Sequence, residues 1–308
     1  MNQLGSMYFT KEAYDKLYPG YGSSYINFYG GAGFLFEQAS SRGHVQETTT
    51  IPLTFAFTIR NQFVAALTTV RASLAEKENL INLRHEFYKS ASAQAKANPV
   101  KAYVFGDAND LARTYTFVNF LQMHHIECFN VENTIPQNGK NYEKGRAFIV
   151  PTEQMNYIMV RSIFEKGITY TDSIFYDAST WSIIHAFNLP YAELKTMPNK
   201  GAQITKPLEK STPSVSKSSY AYIIELTDYF SHKALYELQK GGVIVQTSFK
   251  PFSLNIEGKI KHSATARSSY PLVYSECLPR TSTNWSKKIA QELKFRFLAS
   301  KMATLLRG

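Results

Sequence analysis

Residues 101 to 131 constrain the fold more tightly than any other stretch of this chain. Lys101-Ala102-Tyr103-Val104-Phe105-Gly106 is a short apolar run closed by glycine, and Asp107-Ala108-Asn109-Asp110 follows it. Leu111 to His125 then repeats apolar residues at helical spacing, and Glu127-Cys128-Phe129-Asn130-Val131 returns to an extended apolar run. A short polar side chain just before the first helical residue accepts from the free N–H groups of the first turn, so Asn109 or Asp110 is the expected cap. Strand, capped helix and strand within about 30 residues form a βαβ unit, which predicts a parallel sheet with helices on its faces.

The same alternation continues. Ala147 to Pro151, Ser173 to Asp177, Tyr220 to Ile224 and Gly242 to Gln246 read as strands. Gln154 to Phe164, Trp181 to Phe187 and His232 to Gln239 read as helices. Between Lys195 and Ser219 the chain is rich in Lys, Ser, Thr and Pro with few large apolar residues, which predicts a mobile insertion. After Gly258 the alternation is no longer legible, and residues 259–308 read as a basic, poorly folded tail with one weakly amphipathic helix from about Trp285 to Leu306.

Ahead of this region, the residues from Tyr18 to Arg42 are dense in glycine and tyrosine. Gly30, Gly31 and Gly33 precede Phe34-Leu35-Phe36, which reads as a short buried strand, and Glu37 stands at its exit before Ala39-Ser40-Ser41. A carboxylate held close to backbone among small residues is well placed to act as a base on something beside it. Leu53 to Ile59 alternates like a strand end. From about Ile59 to Ser90, Phe63, Leu67, Val70, Leu74, Ile81 and Phe87 follow helical spacing, so this helix is expected to bury one face. Arg60 and Arg71 on it read as structural. The Ala, Ser, Lys and Gln composition from Ser90 to Pro99 marks the expected domain boundary.

The segment Tyr18 to about Tyr88, carrying the glycine-rich turn and Phe34-Leu35-Phe36-Glu37-Gln38-Ala39-Ser40, resembles the end of a bacterial carboxypeptidase-A-like zinc peptidase domain. The resemblance implies that Glu37 is the general base acting on a zinc-bound water, that the substrate is a peptide cut at its C-terminal end, and that Tyr14 or Tyr18 hydrogen-bonds near the peptide's terminal carboxylate. The region around Phe148-Ile149-Val150-Pro151, Ser173 to Asp177, Trp181 and Asn188-Leu189-Pro190-Tyr191-Ala192 looks like the class I glutamine amidotransferase-like domain that follows such peptidases. Together the two imply an α/β protein. Residues 1–92 would be a remnant of the peptidase domain, 100–258 a flavodoxin-like parallel-sheet domain and 259–308 the basic tail. The chain would be truncated at both ends relative to that family, whose members are usually exported.

The chemistry of such a peptidase needs three protein ligands on zinc and an open position for water. The family holds its zinc with His-x-x-Glu and a later His, all before the catalytic glutamate, yet no histidine precedes Glu37. His44-Val45-Gln46-Glu47 fits the short pattern but follows Glu37 in a polar loop, and His124 and His125 are adjacent on a helix, facing different ways. The expectation is therefore a zinc cofactor by resemblance with its ligands absent from this chain. In the second region the place of the amidotransferase cysteine is taken by Asp177-Ala178-Ser179-Thr180-Trp181. Ser179 lacks the flanking glycines of a nucleophile elbow and reads as a cap. Gly106-Asp107-Ala108-Asn109 puts an acid where a phosphate cradle would need glycine.

Charge narrows the partners. The net charge is +10, but residues 259–308 hold ten basic against two acidic residues, so the body is nearly neutral and no nucleic-acid surface spreads over it. Cys128 and Cys277 are far apart and imply no disulfide framework. No apolar run has the length of a membrane span or signal peptide. Two functional classes follow: a metallocarboxypeptidase-like protein inactive as this chain alone, or a noncatalytic binding or accessory module.

Overall fold

The computed structural model describes residues 2–8, 19–166, 182–217, 221–247, 253–256, 259–262, 272–276, 279–294, 297–300 and 303–304. The architecture is mixed α/β. Backbone contacts divide the chain into two units, residues 1–102 with 151–188, and residues 103–150 with 189–308.

The first unit is dominated by two 21-residue helices, Phe55–Ala75 and Lys77–Ala97. Thr54 caps the first, its hydroxyl accepting from Phe57 N at 3.1 Å, so the helix begins earlier than the expected Ile59. Only Glu76 separates the two. The i→i−4 ladder runs on around it, with Glu76 N on Ala72 O at 2.8 Å and Leu80 N on Glu76 O at 3.0 Å. At the far end Ala91 and Ala95 are buried against Tyr157, whose hydroxyl accepts from Asn98 Nδ2 at 2.8 Å. The Tyr157–Phe164 helix buries Met159, Val160, Ile163 and Phe164.

The second unit is built on a five-stranded sheet in the order Tyr191–Leu194, Ala102–Phe105, Phe148–Pro151, Phe129–Val131, Lys200–Gln203. The βαβ reading is right in its elements and wrong in its neighbours. Asp110 caps the Leu111–Met123 helix, accepting from Arg113 N at 2.9 Å. The strands on either side, however, are separated by Phe148–Pro151, and Phe129–Val131 runs antiparallel to that strand and to Lys200–Gln203. Gly106, just past Phe105, lies against Arg146 and Ala147, just before Phe148, so Ala102–Phe105 also runs opposite to it. The expected flavodoxin-like parallel sheet is therefore not seen among the described residues. The intervening hairpin Ile135–Gln137 with Lys140–Tyr142 brings the chain back against its own strand instead of across a helix. Gly106 is required at its place: a Cβ there would meet Arg146 O and Ala147 Cα, and its φ is +149°.

The strands carry Val104, Phe105, Ile149 and Val150, all fully buried, as a core strand demands. Phe105 meets Phe117 edge-on with ring centroids 5.0 Å apart. Cys128 is buried in the same region, and burial pushes its thiol far above the ordinary range, leaving it inert. Cys277 and the expected strand at Ser173–Asp177, with Ser179 and Trp181, lie outside the described residues.

The stretch read as a mobile insertion is tied down over much of its length. Lys200–Gln203 is a sheet strand, and beyond it Asn119 pairs with Leu208 in both directions, Nδ2 to O at 3.0 Å and N to Oδ1 at 2.7 Å. Gln122 Nε2 donates to Ile204 O at 3.0 Å. A second sheet, Gln246–Thr247, Leu272–Glu276, Ala221–Glu225 and Leu298–Ser300, is antiparallel throughout. Tyr222 and Ile224 pack with Ala234 and Leu238 of the Ser231–Lys240 helix and with Ile289, Ala290 and Leu293 of the Pro279–Leu293 helix. The basic stretch after Gly258 thus contributes apolar residues to this core.

Candidate functional site

The glycine-rich turn is explained by close packing. Residues Ile26–Tyr29 form a short 3-10 turn that Gly30 ends with φ +73°. A Cβ on Gly30 would meet the Phe87 ring, one on Gly31 the Ile26 side chain and one on Gly33 the Ser23 carbonyl. Gly33 N donates to Asn27 Oδ1 at 2.8 Å. Tyr29 sits beside Tyr25 with ring centroids 5.2 Å apart, and burial together with the Tyr25 hydrogen bond raises its phenol pKa well above normal. These glycines therefore seat the turn on its own unit, leaving its chemistry to the residues that follow.

Those residues do not form a strand. From Gly31 to Ser41 the backbone has no regular structure, and Phe34, Leu35, Phe36 and Glu37 are all exposed. The buried-strand expectation fails because alternation is lacking: three consecutive large apolar residues cannot all face one core from an isolated extended segment. The segment is held at Gln38, whose Nε2 donates to Thr58 O at 2.9 Å, and at Ser41, buried and donating to Gly43 O. The Glu37 carboxylate is thus anchored by its neighbour and open to water.

The other expected residues scatter. Tyr14 and Tyr18 lie outside the described residues. His44 and Glu47 are exposed at either end of the short strand Val45–Gln46, which pairs with Leu53–Thr54. Arg60 is structural as expected: it donates to Ser6 Oγ at 3.2 Å and to Asn61 Oδ1 at 3.3 Å, and lies over the Phe57 ring. His124 meets Phe120 edge-on with ring centroids 4.5 Å apart, and burial lowers its pKa. Among the described residues no three of His, Cys, Asp and Glu converge closely enough to hold a cation. The zinc implied by resemblance therefore finds no ligand set there, and no chemical step can be derived through it.

The feature that sequence reasoning missed is the outer face of the two long helices. Phe55, Ile59, Phe63, Leu67, Val70, Leu74 and Ile81 are spaced for one helical stripe, and all are exposed, reaching 66% at Phe63, 67% at Val70 and 74% at Leu74. Packing on the opposite face is confined to the start of the first helix: Asn61 is its one buried residue and accepts from Ser6 Oγ at 2.9 Å. From Ala66 to Ser73 only Thr69 is even half-buried, and from Leu74 to Glu86 only Leu80 is. The 3.6-residue period was legible, but a period shows that a stripe exists without showing what covers it.

No helix among the described residues is long and apolar enough to cross a membrane, so the stripe is not a span. Comparison with protein-family models, with curated proteins and with solved structures finds no match to this chain.

Proposed function

We propose that this chain acts by binding, as a noncatalytic module of zinc-carboxypeptidase lineage. The observation that carries this reading is the uncovered apolar face of the Phe55–Ala75 and Lys77–Ala97 helices. Exposed apolar surface on this scale marks an interaction site in a soluble protein, and a helix open on most sides gains its stability from a partner more than from intrinsic propensity. The amidotransferase-like reading of the second region, with Asp177-Ala178-Ser179 in place of a cysteine elbow, adds an accessory module and no nucleophile.

A second reading is favoured by one feature, the water-open Glu37 beside the anchored Gln38. In it the chain belongs to a carboxypeptidase completed by zinc ligands from elsewhere, Glu37 serves as general base, and Tyr14 or Tyr18 meets the peptide's terminal carboxylate. Turnover of a blocked dipeptide ester by the purified chain and by Glu37→Gln separates the two. Binding predicts equal background rates for both. Turnover that Glu37→Gln abolishes would establish the enzyme instead.

A further inference from the structure

We propose that the apolar stripe is the interface of a two-fold homodimer in which residues 56–81 of two copies pair antiparallel. This rests on the binding reading above and names the partner as a second copy of the chain.

The first argument is spacing. Phe63, Leu67, Val70 and Leu74 follow one another at intervals of four, three and four residues, and Ile81 continues the series after Lys77. This is the a/d spacing with which two helices interlock side chains along a seam. It needs a continuous helical path, and the hydrogen-bond ladder around Glu76 supplies one.

The second argument is self-complementarity. A two-fold interface must match itself, each residue i meeting j while j meets i. Turning the stripe about a point between Thr68 and Thr69 brings Phe63 level with Leu74 of the other copy, Leu67 with Val70, and Ala56 with Ile81. The large apolar side chains Phe63, Leu67, Val70, Leu74 and Ile81 each thereby meet another apolar residue, and the small residues Ala66 and Ser73 border the seam near the axis. Charge supports the antiparallel sense. The Phe55–Ala75 helix carries Arg60 and Arg71 and no acid, whereas Glu76 and Glu78 stand just beyond it. The pairing sets Arg60 level with Lys77 of the other copy, a like-charge contact that Glu76 and Glu78 on either side of Lys77 offset. A parallel pairing would instead stack Lys77 on Lys77 and Arg84 on Arg84 in the seam.

The third argument is area. Ile59, Phe63, Leu67, Val70, Leu74 and Ile81 together leave on the order of 600 Å² of apolar side chain open, three quarters of the roughly 800 Å² that each partner brings to a stable interface of ordinary size.

Sedimentation velocity of the full chain, with Leu74→Asp and Val70→Asp in parallel, tests the pairing. The expected result is a dimer at micromolar concentration that each variant converts to monomer. Because both positions are exposed, a circular dichroism spectrum unchanged in the variants shows that folding is not at issue. Cysteine cross-linking reads the direction. Leu67→Cys mixed with Val70→Cys should cross-link as the hetero pair, with the unsubstituted chain as background, whereas a parallel seam would cross-link each variant to itself. A monomer at all concentrations, a dimer indifferent to Leu74→Asp, or self-cross-linking in place of the hetero pair would each overturn the proposal. None of these outcomes bears on ester turnover, so loss of the dimer and loss of the noncatalytic reading are separable.

Discussion

Two leucines on two helices offer a sharp test of where this fold keeps its stabilising contacts. Leu121 is fully buried beneath the sheet core, whereas Leu74 is 74% exposed. Truncating a buried leucine to alanine removes its transfer free energy and leaves a cavity, costing about 2–5 kcal/mol. At Leu74 only about a quarter of the side chain is covered, so the transfer loss is roughly 0.5 kcal/mol, against which alanine's higher helix propensity returns a few tenths. Leu121→Ala should therefore lose several kcal/mol in chemical denaturation, and Leu74→Ala should stay within about 0.5 kcal/mol of the parent when measured below micromolar concentration, where no association contributes. At high protein concentration Leu74→Ala should fall behind the parent, because mass action adds the lost interface to the apparent stability. A cost above about 2 kcal/mol for Leu74→Ala in dilute solution would mean that the helix face is packed within the monomer, and the reasoning would fail.

Two further outcomes follow from local features. Asp110 is almost wholly buried, and desolvation raises its pKa despite the Arg113 ion pair at 3.0 Å. A raised carboxyl pKa means the folded state holds its proton more tightly than the unfolded chain, so the charged form costs stability above the folded pKa and the cost disappears as pH falls below the unfolded value. Asp110→Asn, which retains a capping oxygen, should be at least as stable as the parent at neutral pH and lose that margin in acid, as thermal melts across pH would register. Gly33→Ala forces a Cβ into the Ser23 carbonyl and should cost about 1–3 kcal/mol through displacement of the turn. Hydrogen exchange at the Gly33 amide, now bonded to Asn27, should rise with it.

Much of the second unit was legible because its signals are local. A short polar residue before Leu111 marks a cap from local chemistry alone, with Asp110 filling it where Asn109 was the other candidate, and the apolar runs at Ala102–Phe105 and Phe148–Pro151 form core strands as read. Strand order and sense were not legible, since hydrogen bonding between Phe129–Val131 and Phe148–Pro151 is decided by the hairpin between them and leaves no periodic trace. The 204–208 segment misled because Asn119 and Gln122 hold it through its backbone, where side-chain composition says nothing. The Thr54 cap was obscured because Phe55, Phe57 and Ile59 follow the period of a strand although they lie in the first turns of a helix.

Around Glu37 the expected buried strand is not the structure that forms. Phe34-Leu35-Phe36 has the hydrophobicity of a core strand, yet it lies exposed on irregular backbone, and the apolar stripe that follows is exposed on regular helix. Local hydrophobicity reports that a residue favours burial, while the covering surface belongs to tertiary or quaternary structure.

The most direct measurement is the zinc content of the purified chain, by elemental analysis before and after dialysis against a chelator. A noncatalytic module predicts substoichiometric zinc that dialysis removes without changing the folded state. One zinc per chain, held through mild dialysis and stripped only by chelator, would contradict the account and place a complete metal site in this polypeptide.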